Sequence, residues 1–348
     1  MSYSIIQADI ENQQRQIESL WERNFEKIPE GRYQWIYKNN PAGAATSFLL
    51  HHDRTNAVVG AISLFPRVFY LDGKAIPAAI CGDFVVDREH RLLGPALKLL
   101  KAAIQQTEKS DFQLLVGFPN KKSEPLMKKV GFEVLGEICE MTQVLQTFRY
   151  IKRYTGSSLV SRIASVPLDF LIRLWPLNFP FFKLQNNDIV VSNKMVHGFD
   201  RLWDNLPRSF SFIGKRDANY LEWRFLNSPY GRYHVFTISQ GNEKKLSGYM
   251  IFGKNQKRIQ VFDIGFKDEQ SLTILLSSFS KCHRYQGIES ISLNIAGPKK
   301  LIKTFKKSIY SVRSAVNKFL VYPSSENKEI TRRIKNGNWY ITASDNDI

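Results

Sequence analysis

The sequence predicts an α/β chain built as two similar units in series, and three observations predict it. Residues 80–104 read as an apolar strand, a basic turn and an amphipathic helix that begins near a glycine. A second strand, a turn, a short helix and a Gly131-Phe132 pair follow directly. A block of aromatic, Asn, Pro and Gly residues near the N-terminus then recurs 188 positions later. With 348 residues, 43% of them hydrophobic, the chain can bury sizeable cores, and its length favours two domains.

The first unit opens with a helix carrying Leu20-Trp21-Glu22, then Trp35-x-Tyr37-x-Asn39-x-Pro41-x-Gly43 and a strand hairpin containing Phe48, Leu50, Gly60 and Ile62. The Trp and Tyr positions read as core, a helix end packing beneath a sheet. The strand Ile80–Val86 leads into Asp87-Arg88-Glu89-His90-Arg91, and Leu97, Leu99, Leu100 and Ile104 recur at helical intervals. The first amides of a helix have no intrahelical partner, and its dipole leaves partial positive charge there, so a pyrophosphate can rest on them. Arg91 adds a full charge. A strand from Phe112 to Val116, the turn Gly117-Phe118-Pro119-Asn120 and a helix over 124–129 complete the run.

Arg91-x-x-Gly94-x-Ala96 after a strand, followed by strand, Asn120, helix and Gly131-Phe132, resembles the acyl-CoA motifs of the GNAT acyltransferase family over roughly the first 145 residues. The resemblance implies that Phe84, Val85 and Val86 offer backbone groups to a pantetheine arm. It also implies that Arg91, Leu92, Leu93, Gly94 and Ala96 cradle the pyrophosphate of acetyl-CoA or another acyl-CoA. Two departures stand out: Pro95 removes one possible phosphate donor, and Met127 stands where many members carry a tyrosine that protonates the leaving thiolate.

The repeat is specific. Trp223-x-Phe225-x-Asn227-x-Pro229-x-Gly231 copies the first motif; in the same register Phe236, Ile238, Gly248 and Met250 match Phe48, Leu50, Gly60 and Ile62. Leu202-Trp203-Asp204 matches Leu20-Trp21-Glu22 at an offset of 182, and Asp263 matches Asp83 at an offset of 180. There Ser271, Ile274 and Leu276 face Arg91, Gly94 and Ala96, so the second copy has lost the cradle's glycine and arginine. The arrangement resembles tandem GNAT proteins with one degenerate copy. It implies two mixed, twisted sheets flanked by helices: a GNAT-like acyl-CoA-binding domain at 1–145, a connector at 146–195, and a degenerate, acceptor-binding domain at 196–348. The connector is apolar but broken by Arg162, Asp169, Arg173 and prolines, with Trp175, Phe179, Phe181 and Phe182 at its end. It is too interrupted to span a bilayer; helices packed on both domains are favoured over an interfacial membrane contact.

Residues 1–150 hold 18 basic and 17 acidic residues, and 151–348 hold 31 and 15. The net charges, +1 and +16, differ in kind, and the basic half points to an anionic acceptor, a small molecule or a lipid-linked one. No alternation of basic and aromatic residues marks a nucleic-acid site. Cys81, Cys139 and Cys282 lack metal spacing and read as buried thiols of a reducing compartment; the six histidines form no metal motif. With no signal-peptide pattern at the N-terminus, the expectation is a cytoplasmic protein, with contact at the inner membrane face left open.

Acyl transfer to an amine requires oxyanion stabilisation, a proton for the leaving thiolate and exclusion of water. Asp83, on the apolar strand, is the candidate to take the amine's proton, its pKa expected to rise in such surroundings. Its counterpart Asp263 argues equally for a shared structural role. Asn120 is placed to bind the cofactor arm or order its loop. Tyr220, Tyr249, His283 and Tyr285 are the acids available to replace the missing tyrosine. The expected function is N-acyl transfer, with acetyl as the expected group, to an amino group of an anionic acceptor such as an amino sugar of surface polysaccharide. A tRNA-dependent peptidyltransferase-like protein and a non-catalytic membrane-associated CoA-binding module are the alternatives.

Overall fold

The structure, a computed structural model, describes residues 2–91, 93–174, 188–206, 209–241 and 244–346. The first half runs β1 (Tyr3–Gln7), α1 (Gln14–Asn24), a π-helical turn (Gln34–Lys38), β2 (Thr46–His52), β3 (Ala57–Leu71), β4 (Lys74–Val86), α2 (Leu93–Thr107), β5 (Leu114–Gly117), α3 (Glu124–Lys129) and β6 (Glu133–Val144). Helices α4 (Phe148–Thr155) and α5 (Ser158–Leu174) follow. The second half holds β7 (Asp188–Ser192), α6 (Phe199–Trp203), β8 (Phe212–Gly214), α7 (Ala218–Leu221), a π-helical turn (Glu222–Leu226), β9 (His234–Gln240), β10 (Lys245–Asn255) and β11 (Arg258–Phe266). It closes with α8 (Glu269–Tyr285), β12 (Ser290–Ala296), α9 (Lys299–Lys307), β13 (Ser311–Pro323), α10 (Lys328–Asn336), β14 (Trp339–Thr342) and a 3₁₀ turn (Ala343–Asp345). Setting aside β8, α7 and everything after β13, the halves present the same order of elements, down to the π-helical turn that holds each Trp-x-aromatic pair.

Among the described residues the strands form one mixed sheet, ordered β1-β2-β3-β4-β5-β13-β6-β12-β11-β10-β9-β7. Its centre is an exchange. Strand β13, late in the chain, pairs antiparallel with β5 and β6, while β6 pairs antiparallel with β12. Each half therefore gives its last long strand to the seam between them. The motif aromatics are core: Trp35 and Trp223 stack at 5.1 Å, and each indole Nε1 donates to the other's backbone carbonyl, at 2.7 and 3.0 Å. One apolar cluster runs through residues of both halves; two more lie under α2 and under α8.

The connector departs from the packing expected of it. Helices α4 and α5 pack on each other, but α5 leaves its large apolar side chains in solvent, with Leu159 at 71% and Ile163 at 69% exposure. Trp175, Phe179, Phe181 and Phe182 lie outside the described residues. Cys81 is buried, whereas Cys139 and Cys282 are half-buried. Among the described residues no helix is long and apolar enough to cross a membrane, and no three His, Cys, Asp or Glu side chains stand together as metal ligands.

Candidate active site

Strands β4 and β5 pair in parallel only from Ala78–Cys81 against Leu114–Gly117; β5 then ends while β4 continues to Val86. The strands part there. Along the same stretch β3 and β4 slip register, Ser63 facing Gly82 and Ala61 facing Val85, so Asp83 and Phe84 oppose Ile62 alone. This β-bulge puts Asp83 in the left-handed region, φ +47°, a costly conformation for a residue with a side chain. A cavity of about 350 Å³ fills the parting, floored by Ile62, Cys81, Leu100 and Met127 and walled by Asp83, Phe84, Phe118 and Asn120. Met127 reaches it because β5 ends in a glycine: a Cβ at Gly117 would come within 2.3 Å of the Met127 methyl.

Asp83 is held rather than free. Arg32 donates from Nη1 and Nη2 to its two carboxylate oxygens at 2.8 and 2.7 Å, and the Tyr37 hydroxyl donates to Oδ2 at 2.7 Å. All three side chains are buried, and the guanidinium lies 4.5 Å from the Trp21 ring. Burial alone would lower the pKa of Arg32, but the charge and hydrogen bonds of Asp83 outweigh it and the net movement is upward. Burial, then the Asp83 charge, raises Tyr37 well above the ordinary phenol value. A carboxylate with three donors on it is an anchor for Arg32, and a proton acceptor only if that pairing breaks.

The remaining Arg32 nitrogen points to a residue that sequence reasoning missed. Nε donates to the Tyr230 hydroxyl at 2.6 Å, across 198 positions of sequence. Tyr230 lines the cavity, as does Asn317 of β13, so the second half completes the site. Burial raises the Tyr230 pKa, with Arg32 pulling it partly back. Among the sequence-named acids, Tyr220 donates to the Ser344 carbonyl, Tyr249 donates to Asp263, His283 is buried on the inner face of α8, and Tyr285 at its end is 82% exposed; none lines the cavity. The available signal was an arginine three residues before the first aromatic motif, Arg32, and a tyrosine within Pro229-x-Gly231.

The other named residues divide. Asp83, Phe84 and Asn120 line the cavity, whereas Val85 and Val86 pair with Ala61 and Gly60 and do not. Asn120 orders its own loop, its Oδ1 accepting from the backbone of Lys122 and Ser123 at 2.9 and 3.0 Å. Arg91 folds back, Nε donating to the Val86 carbonyl and Nη2 to Asn24. Leu92 lies outside the described residues. Leu93 is 51% exposed, Ala96 is buried, and the space where a Gly94 Cβ would go is empty to 4 Å. Among the described residues no side chain needs Gly94 to be small, and no acid occupies the first turn of α2. A groove of about 670 Å³ adjoins the cavity, sharing Phe25, Lys27, Ile28 and Tyr230 and adding Glu22 and Glu26.

The equivalent place in the second half is filled by the protein itself. Strands β11 and β12 pair in parallel over Arg258–Val261 and Ser290–Leu293, and beyond them β14 pairs with Ile295 and Ala296. From β14 the Tyr340 hydroxyl donates to the Ile264 carbonyl, and Thr342 and, from the 3₁₀ turn after it, Ser344 donate to Asp263 at 2.6 and 3.0 Å. Asp263 also receives Arg216 and Tyr249, a buried set like that around Asp83, and Arg216 pairs with Asp345 as well. At the start of α8, Asp268 accepts from the Ser271 amide at 2.7 Å, placing an anion where α2 has none.

Residues 7–135 match the family profile described as acetyltransferase (GNAT) domain. No curated protein matches the sequence. Among solved structures, a probable N-acyltransferase of unknown function from Enterococcus faecalis V583 superposes with a TM-score of 0.68 at 14% identity, covering 93% of this chain and 73% of that one. A GCN5-related N-acetyltransferase from Anabaena variabilis gives 0.64 at 15% identity over 93% and 74%. Saccharomyces cerevisiae N-myristoyltransferase with bound myristoyl-CoA gives 0.57 at 13% identity over 92% and 82%. The chain therefore shares its α/β fold with these structures over about 93% of its length, and its residues 7–135 match the GNAT family's acetyltransferase domain.

Proposed function

We propose that the protein is an acyl-CoA-dependent N-acyltransferase whose first half binds the thioester and whose second half completes the site. The observation that carries this is the parting of β4 and β5, with a cavity at its floor and the unobstructed Gly94 at the start of α2. The pantetheine arm would lie along Gly82–Phe84, with phosphates against the first amides of α2 and Arg91 turned toward them. At about 350 Å³ the cavity suits a short acyl group such as acetyl.

In the reaction the amine nitrogen bonds to the thioester carbon, the C–S bond breaks, the thiolate takes a proton, and the nitrogen gives one up to solvent water. Tyr230 is the phenol at hand: raised by burial, it stays protonated at neutral pH, and Arg32 on its oxygen stabilises the anion left behind. Asp83 fixes Arg32. The acceptor would enter along the adjoining groove, where Glu22 and Glu26 outnumber Lys27. That lining favours an amine carrying positive charge over the anionic amino sugar expected from overall charge. The second half, its own parting filled by β14, would bind no acyl-CoA. Calorimetry with acetyl-CoA, myristoyl-CoA and the Gly94→Glu variant tests the core of the proposal: acetyl-CoA should bind the wild type and not the variant. Absence of binding by either acyl-CoA, or undiminished binding by the variant, overturns it.

A further inference from the structure

Helix α5 is inside out. Its 17 residues turn Ser161 and Ser165 inward, at 0% and 7% exposure, and present Leu159, Val160, Ile163, Val166, Phe170 and Leu171 outward, each at least 50% exposed. Spacings of three and four residues gather these side chains on one face, the stripe a helix of a soluble domain would bury. The inward serines spend their hydroxyls on the helix backbone, Ser161 on the Ser157 carbonyl and Ser165 on the Arg162 carbonyl. At the base of α4, between the inward side of α5 and the body of the protein, lies a cavity of about 330 Å³ lined by Arg149, Arg162, Lys257, Gln146, Ser165 and Glu289. Glu289 is shared by Arg149 and Lys257, at 3.1 and 3.6 Å, which leaves the cavity net positive. The one acid within α4 and α5, Asp169, is engaged with the amide and hydroxyl of Thr147.

We propose that the α4–α5 hairpin docks the protein on an anionic lipid bilayer, the α5 stripe inserted among acyl chains and a headgroup phosphate in the Arg149–Arg162–Lys257 cavity. Charge selects this occupant. A symmetric pairing with a second copy would set the same cations against themselves. A bilayer supplies the apolar contact and the anions in one surface, and the helix lies in its plane rather than crossing it.

Flotation of the full chain with vesicles tests the proposal, using phosphatidylcholine alone and phosphatidylcholine containing about a third phosphatidylglycerol. The wild type should float with the anionic vesicles only. Ile163→Asp and Phe170→Asp, exposed and so harmless to the fold by circular dichroism, should each cut binding about tenfold or more. Arg162→Glu should weaken it about fivefold or more. No flotation with either vesicle, equal flotation with both, or aspartate variants that float like the wild type would overturn it. So would a wild-type dimer by light scattering that Ile163→Asp converts to monomer, since the stripe would then be a protein interface.

Discussion

Asp83 combines a left-handed backbone with a carboxylate fully committed to Arg32 and Tyr37, so its loss should register in stability before chemistry. Asp83→Asn should destabilise the protein by about 3–5 kcal/mol in urea unfolding, because it leaves the Arg32 charge buried without a counterion. Tyr230→Phe should leave acetyl-CoA affinity unchanged while lowering kcat by about 10²-fold or more, read by thiol release once an accepting amine is found. His283 gives a pH prediction. Burial lowers its pKa from 6.5 to about 4, so between those values the unfolded chain binds the extra proton and stability falls as pH falls. His283→Leu should flatten the urea midpoint between pH 6.5 and 4 relative to wild type, whatever its effect at neutral pH. Asp83, Phe84 and Asn120 were legible in the sequence because they lie on a strand and a turn with local signatures. Arg32 and Tyr230 were not, because 198 positions of chain separate two residues whose role exists only where they meet.

At the scale of elements, two helix starts make opposite electrostatic statements. The first turn of α2 has no acid and an open Gly94, while α8 closes its own first turn with Asp268. Gly94→Ala should therefore leave the melting temperature unchanged, whereas Gly60→Ala, driving a methyl to 2.9 Å from the Val85 carbonyl oxygen, should lower it clearly in a thermal melt. The strand–turn–helix order in the first half was readable from periodicity and punctuation. That Ser271 and Ile274 stand at the start of α8 where the aligned first-half positions hold Arg91 and Gly94 was readable too. What fills the equivalent place was not: β14 is only Trp339–Thr342, too short to announce its partner, and it is recruited by the ends of β11 and β12. The exposed face of α5 was likewise hidden, since apolar periodicity marks a stripe without saying which side it turns to solvent.

For the whole molecule, the exchange of β6 and β13 makes each half a fragment. Residues 1–187 expressed alone would leave β5 and β6 without the strand between them, and residues 188–348 would leave β12 without β6. Each should be insoluble or unfolded by circular dichroism, and co-expression should recover a soluble pair; two independently folded halves would contradict this reading of the seam. The repeated motif raised the expectation of two similar units at this level, but a repeat carries no information on which strand crosses over, because either pairing buries the same apolar faces.

The reciprocal Trp35–Trp223 pair also makes the seam observable. Two indoles stacked at 5.1 Å and 22° between planes should couple their excited states, giving a paired positive and negative band in circular dichroism that neither ring produces alone. Replacing either with phenylalanine should erase that couplet. In the unaltered protein its decay during denaturation would time the separation of the halves directly, with no label added.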